Sequence, residues 1–290
     1  MTQLINALSE VSDRYDALFV DLWGCVHDGV TAFPEAVAAL QAYRAKGGAV
    51  ILVTNAPRSR HEVAKQLVRF GVPTDAYDDI ATSGDSGRAA MFQGAVGNKV
   101  WFIGQEFDRS FFEPLQLIDN PAPVEVVPLE EAEGIVCCGP LDPHAEPEVY
   151  RPQFLLAKQR GLKLLCANPD IVVDRGGRRE YCAGALAALY TEMGGESLYF
   201  GKPHPPIYDL ARRRLEQHRK GVADAGILAI GDGPATDVRG AMGEDLDSLF
   251  ITGGLAREET RTETQPEPGA LADYVADQQI APTFSIGYLR

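Results

Sequence analysis

The sequence has no long apolar run. None of its 290 residues belongs to a stretch approaching the roughly 20 apolar residues that cross a bilayer as a helix. It has no basic surplus either: 27 Lys and Arg stand against 41 Asp and Glu, a formal charge of -14. That balance argues against nucleic acid or an anionic membrane surface as the principal partner. It does not argue against an anionic small molecule, which a local metal ion and a few basic side chains can hold. An unexported chain is expected, because Met1 to Tyr15 is polar and acidic, with no basic start and no apolar centre. No CxxC pair occurs, and the five cysteines are an odd number. Cys25, Cys137, Cys138 and Cys166 lie in or beside apolar stretches, as buried free thiols do. A zinc site would need tighter clustering with histidine. A reducing cytoplasm is the expected compartment. No strand is followed by GxGxxG, which excludes a Rossmann dinucleotide site. Internal repeats and long low-complexity segments are also lacking.

What remains is the composition of an ordinary globular protein, 45% hydrophobic and 23% charged, with enough chain for two domains or one with a large insertion. Short apolar runs alternate with helical patterns. Ala17–Val20 reads as a buried strand ending at Asp21. Phe33-Pro34 opens a helix over Glu35 to about Lys46, which Gly47-Gly48 ends. Strand Ala49–Val53 ends at Thr54-Asn55, and Ser59 with Glu62 forms a capping-box pattern before a helix carrying Val63, Leu67 and Val68. Ile80–Ser83 reads as a strand end and Asp85–Phe92 as a helix.

A new unit begins near Gly94–Gly97. Its strands are Val100–Gly104, Ile135–Cys138 and Leu162–Cys166, with a helix from about Glu148 to Gln159 carrying Val149, Leu155 and Leu156. Asp119–Pro123 reads as a loop. Asp174–Arg179 reads as a solvated turn, with a basic lip for an anionic substrate as the alternative. The first alternation then resumes: Leu198–Phe200 runs into Gly201-Lys202-Pro203, and a helix carries Ile207, Leu210 and Leu215. Strand Ile227–Ile230 runs into Gly231-Asp232-Gly233, and a helix follows around Asp237–Met242. Strand Ser248–Ile251 ends at Thr252-Gly253-Gly254. Arg257–Gly269 is polar and reads as a surface loop. The pattern predicts a parallel sheet with helices on its faces. The expected division is residues 1–95, an inserted α/β module over 96–195, and a return over 196–290.

Four strand ends carry polar groups: Asp21, Thr54-Asn55, Lys202, and Asp232 with Asp237. In a parallel sheet such ends share one edge, where ligands bind. Each residue alone is an ordinary turn or surface residue. Together they suit phosphoryl transfer through a carboxylate nucleophile. Asp21 attacks phosphorus, and Mg²⁺ between Asp21 and Asp232 keeps two anions from repelling each other. Lys202 neutralises charge, and Thr54 and the backbone at Asn55 donate to phosphate oxygens.

The chain resembles the haloacid-dehalogenase-like (HAD) superfamily, subclass IIA, which includes phosphatases of small phosphorylated metabolites. The resemblance covers nearly the whole chain and rests on five motifs in order. Asp21-Leu22-Trp23-Gly24 matches Asp-x-Asp-Gly in part. Val53-Thr54-Asn55-Ala56-Pro57-Arg58-Ser59 matches the second motif, Gly201-Lys202-Pro203 the third, and Gly231-Asp232-Gly233-Pro234-Ala235-Thr236-Asp237 the fourth. Cys166-Ala167-Asn168-Pro169-Asp170 is similar to the Asn-Pro-Asp loop of the family's cap. The resemblance implies a Rossmann-like α/β core with an inserted α/β cap. It implies a Mg²⁺ site at Asp21, Asp232 and Asp237 with the backbone carbonyl of Trp23. It also makes Asn168 and Asp170 substrate contacts, with a plain turn as the alternative. A homodimer is a further implication, since caps of this kind often dimerise.

The chain departs from the family at one place. Trp23 stands where the family has its second aspartate, the general acid/base. Tryptophan cannot protonate a leaving alkoxide, a service typically worth about 10²–10⁴-fold. Two repairs suggest themselves. His27, four residues on, takes over proton transfer, or it is a turn residue beside Asp28-Gly29. Otherwise the substrate has a leaving group that needs no proton, and Trp23 stacks on it. The expected activity is a Mg²⁺-dependent phosphatase of a small, sugar-phosphate-like metabolite. The alternatives are a binding protein with weak turnover and another hydrolase or transferase using the same aspartate.

Overall fold

The structure, a computed structural model, describes residues 2–113, 121–175 and 178–290. In chain order the strands are β1 (Gln3–Leu4), β2 (Ala17–Val20), β3 (Ala49–Thr54), β4 (Asp79–Thr82), β5 (Lys99–Ile103), β6 (Glu125–Val126), β7 (Gly134–Cys137), β8 (Lys163–Cys166), β9 (Val172–Arg175), β10 (Arg178–Tyr181), β11 (Glu196–Tyr199), β12 (Ile227–Gly231), β13 (Asp247–Ile251) and β14 (Phe284–Ile286). The α-helices are α1 (Pro34–Ala45), α2 (Arg60–Phe70), α3 (Ser83–Phe92), α4 (Arg151–Gln159), α5 (Ala183–Glu192), α6 (Pro205–His218), α7 (Arg239–Gly243) and α8 (Pro268–Asp277). Two compact units form: Met1–Thr54, Val63–Ala81 and Lys202–Arg290 make the larger, and Asn55–Glu62 with Thr82–Gly201 the smaller.

The larger unit is built on a seven-stranded sheet of order β1-β14-β13-β12-β2-β3-β4. Every pairing from β1 across to β3 is parallel. The strands are apolar on both faces, as a parallel sheet covered on both sides requires. Ala17, Phe19, Ile51, Val53, Ile227 and Ala229 pack on one side with Ile207, Tyr208 and Leu215 of α6. Leu18, Val20, Val50, Leu52, Leu228 and Ile230 are buried on the other. From β2 the chain runs outward through β3 to β4, whereas β12, β13 and β14 step outward on the opposite side. The strand order therefore reverses between β2 and β12. Such a switch point opens a crevice outside the carboxyl ends of the two strands.

The smaller unit is an α/β layer on a five-stranded sheet of order β11-β8-β7-β5-β6, all parallel, with β9 and β10 forming an antiparallel pair. Period-two alternation splits its strands between two cores. Ile135, Cys137, Leu164 and Cys166 face Phe154, Leu186 and Tyr190. Val136, Cys138, Leu165 and Ala167 face Met91 and Phe111.

Several expectations change. The strand before Lys202 belongs to the smaller sheet, because Ser197, Leu198 and Tyr199 register with Leu164, Leu165 and Cys166. The return to the larger unit falls after Gly201 rather than at 196. An apolar run announces a strand without naming its partner. The helix expected from Glu148 starts as a 3₁₀ turn over Pro147–Tyr150, and α4 buries Phe154 and Ala157 while Val149 and Leu155 are exposed. Arg257–Gly269 is not simply surface. Thr260 and Thr262 are buried there, the Thr262 hydroxyl donates to Thr252 at 2.8 Å, and Pro268 already begins α8. Part of Asp119–Pro123, and Gly176-Gly177 of the expected basic turn, lie outside the described residues. The flanks of that turn are strands β9 and β10.

Candidate active site

Asp21 leaves the carboxyl end of β2, with its N–H donating to the Ile230 carbonyl of β12 at 2.8 Å. Asp232 follows β12 on the other side of the switch point. Lys202 Nζ donates to Asp21 Oδ1 at 2.5 Å and to Asp237 Oδ1 at 2.6 Å. Asp237 sits in a single π-type turn, Pro234–Val238, and its Oδ2 accepts from Gly233 N–H at 3.1 Å and Thr236 Oγ1 at 3.2 Å. Asp232 Oδ2 accepts from Leu255 N–H at 3.0 Å. All four charged residues are at least nine-tenths buried.

Three carboxylates thus face one ammonium. Burial works against the charge on Lys202, but Asp21 and Asp237 outweigh it and hold its pKa well above the ordinary lysine value. Asp232 is pushed well above the carboxylate range, first by burial and then by Asp21 and Asp237. A divalent cation would reverse that pressure. The donors suit one: an oxygen of Asp21, an oxygen of Asp232 and Cys25 Sγ lie within 4.8 Å of one another. The backbone closes tightly around this cluster, since a Cβ on Gly24, which has φ of 75°, or on Gly254 would collide with the Asp232 carboxylate.

The structure distributes the predicted residues unevenly. Asp21, Lys202, Asp232 and Asp237 come together in the larger unit. Asp237, expected as a metal donor, accepts from Lys202 through Oδ1 and from its own turn through Oδ2. Thr54 ends β3, beside β2, and is buried. Asn55, Asn168 and Asp170 form a cluster of their own in the smaller unit: Asn55 Nδ2 donates to Asp170 Oδ1 at 2.8 Å, and Asp170 N–H to Asn168 Oδ1 at 3.0 Å.

Trp23 and His27 organise the segment after Asp21. Their rings meet edge to face at 5.5 Å, and His27 also meets Phe70 at 4.9 Å. Gly29, with φ of 86°, has no room for a Cβ because the Trp23 ring fills that space. His27 is buried and its Nδ1 accepts the Gly29 N–H at 2.9 Å. Burial lowers its pKa to about 4, against the pull of Asp28. The neutral ring therefore carries its proton on Nε2 and spends Nδ1 on the backbone. In that state the ring packs against Trp23 and Phe70.

Sequence reasoning missed two contributors. Cys25 was visible only as a buried thiol, although its place four residues after Asp21 is a turn's distance. Gly254-Leu255, which hold Asp232, carried no signal beyond a Gly-Gly strand end.

Comparison with known proteins settles the family. The description "Haloacid dehalogenase-like hydrolase" matches residues 18–117, and "HAD-hydrolase-like" matches 199–278. A solved hydrolase of the haloacid dehalogenase-like family from Brucella suis 1330 is 41% identical, with a TM-score of 0.86, over 99% of this chain and 100% of that one. This chain belongs to the haloacid dehalogenase-like hydrolases. It is 24% identical to a 5'-nucleotidase of Bacillus subtilis, over 91% of this chain and 97% of the relative. It shares its fold, at 24% identity and a TM-score of 0.63, with a glycerol phosphate phosphatase from Mycobacterium tuberculosis solved in complex with calcium, over 84% of this chain and 68% of that one. Members of the family use a divalent metal, and the Bacillus and Mycobacterium relatives are named as a 5'-nucleotidase and a phosphatase. Among the described residues, no helix is long and apolar enough to cross a membrane.

Two outcomes follow from the geometry. Lys202→Met leaves Asp21 and Asp237 buried together without their shared cation, so urea unfolding in chelator at pH 7 shows a loss of about 3–5 kcal/mol. The loss shrinks as pH falls, since the crowded folded carboxylates then bind protons more tightly than the unfolded ones. Wild-type stability in the variant would contradict the ion-pair account. For His27 the sign is opposite. Its folded pKa of about 4 lies below the unfolded 6.5, so the stability it contributes is present above 6.5 and is lost as pH falls toward 4. Between pH 7 and pH 5 the wild type should lose roughly 2 kcal/mol that His27→Asn, whose amide oxygen can still accept from Gly29, does not. Equal losses would show that the ring is not held neutral.

Proposed function

We propose that this protein is a Mg²⁺-dependent phosphatase of a small phosphorylated metabolite, with Asp21 as nucleophile. The observation that carries the reading is the buried Asp21–Lys202–Asp237 bridge at the switch point, with Asp232 beside it. An Asp21 carboxylate oxygen forms a bond to phosphorus while the bond from phosphorus to the leaving oxygen breaks. Water then attacks the acyl phosphate, releasing inorganic phosphate and restoring Asp21. Lys202 fixes Asp21 Oδ1 and offsets charge on nucleophile and phosphate, and Asp237 holds Lys202 in place. The Thr54 hydroxyl is the proposed donor to phosphate oxygens. Asp21 and Asp232, with the Trp23 carbonyl, would hold the cation, which when bound neutralises charge between two approaching anions. Asn55, Asn168 and Asp170 are the proposed polar contacts to the rest of the substrate. The burial of all five cysteines suits a reducing cytoplasm.

Trp23 shapes the substrate preference. No proton comes from its side chain, and His27 is held neutral, so the leaving oxygen takes its proton from water. Leaving groups that are stable as anions are then favoured. A second reading, a phosphometabolite-binding protein with weak turnover, draws on the same missing acid.

Phosphate release from aryl and alkyl phosphates with Mg²⁺ separates the two. Aryl substrates should exceed alkyl ones in kcat/KM by about 10²-fold or more, and Trp23→Asp should narrow the gap by raising the alkyl rates. Equal rates on both classes in the wild type would remove the missing-acid argument. No release from any substrate, with tight binding of one, would favour the binding reading.

A further inference from the structure

Cys25 is the one cysteine of the larger unit; the other four lie in the smaller. Of those, Cys137 and Cys166 belong to one apolar core and Cys138 to the other. Cys25 has different company. The charged groups around its thiol are Asp232, Asp21, Asp237 and Lys202. Its Sγ, an Asp21 oxygen and an Asp232 oxygen occupy a volume in which no two are more than 4.8 Å apart. The side chain is 1% exposed, and its turn is fixed by the backbone, with the N–H groups of Cys25 and Val26 both directed at the Leu22 carbonyl. Gly24, whose Cβ position is filled by the Asp232 carboxylate, brings this turn up against Asp232.

We propose that Cys25 Sγ is a third side-chain donor of the cation site, so that the site binds thiophilic divalent ions such as Zn²⁺, Co²⁺ or Cd²⁺ through Cys25, Asp21 and Asp232. The inference rests on the cation site of the proposed function and adds a soft ligand to it. Hard carboxylate oxygens suit Mg²⁺, whereas a thiolate selects softer ions. Zn–S of about 2.3 Å and Zn–O of about 2.0–2.2 Å at tetrahedral angles place two donors of one ion about 3.4–3.6 Å apart, so atoms within 4.8 Å of one another need to draw together by about 1 Å at most. As the metal–sulfur bond forms, the S–H proton leaves to solvent, since a coordinating thiol is deprotonated outright. A thiophilic ion bound in this way competes with Mg²⁺ at the reacting centre.

The test is metal binding by the full chain after chelator treatment, with no activity measurement. Co²⁺ and Cd²⁺ should each give a thiolate-to-metal charge-transfer band that saturates at one ion per chain. Cys25→Ser should abolish the band and weaken Zn²⁺ by at least about tenfold, a loss seen even for outer partners of a metal ligand. Its Mg²⁺ affinity, read by calorimetry, should change far less. Asp232→Asn keeps the thiol and should also weaken the band, which ties it to this site. A wild type that binds Co²⁺ and Mg²⁺ without the band overturns the inference and leaves the cation site standing. A band that persists in Cys25→Ser overturns it too. Binding of neither ion overturns both.

Discussion

The ammonium of Lys202 is shared by Asp21 and Asp237, and the geometry of the larger unit's site follows from that sharing. Asp21 belongs to the end of β2, Asp237 to the turn after β12, and Lys202 to neither. One buried cation therefore ties three separate chain segments to a single point at the switch in strand order. Two charges of one sign buried together are strongly unfavourable without such a partner. The same bridge fixes which carboxylate remains for other work. Asp237 is fully engaged, whereas Asp232 is held by Leu255 and pressed by its neighbours toward protonation. A group in that state is where a cation gains most by binding.

The segment after Asp21 is a second constraint. At position 23 an indole packs on His27 and closes over Gly29, a rigid apolar wedge beside Asp21. His27 is buried against that indole.

Much of this was legible in the sequence because buried parallel strands are short apolar runs, and the polar residue ending each run is conspicuous. β2, β3, β12 and β13 could be read that way, and with them Asp21, Thr54 and Asp232. The failures have physical causes. α5 went unseen because seven of its ten residues are buried, so it is apolar on nearly every side and shows no amphipathic stripe. β9 and β10 escaped because Arg178, Arg179 and Glu180 break the apolar pattern of a strand. β11 was placed in the wrong sheet because pairing partners are set by tertiary contact. The bond from Lys202 to Asp237 is invisible in sequence, which shows that a carboxylate is near and not which groups its oxygens meet. Cys25 was overlooked for a related reason: its chemistry depends on Asp232, more than two hundred residues away in the chain.

The central claim is that Asp21 is the atom-donating nucleophile. Rapid acid quench during turnover of a radiolabelled aryl phosphate, followed by peptide mapping, tests it most directly. The account predicts acid-stable label on the peptide that contains Asp21, lost on treatment with hydroxylamine and absent from Asp21→Asn. Turnover at the wild-type rate in Asp21→Asn, or label on any other side chain, would contradict it.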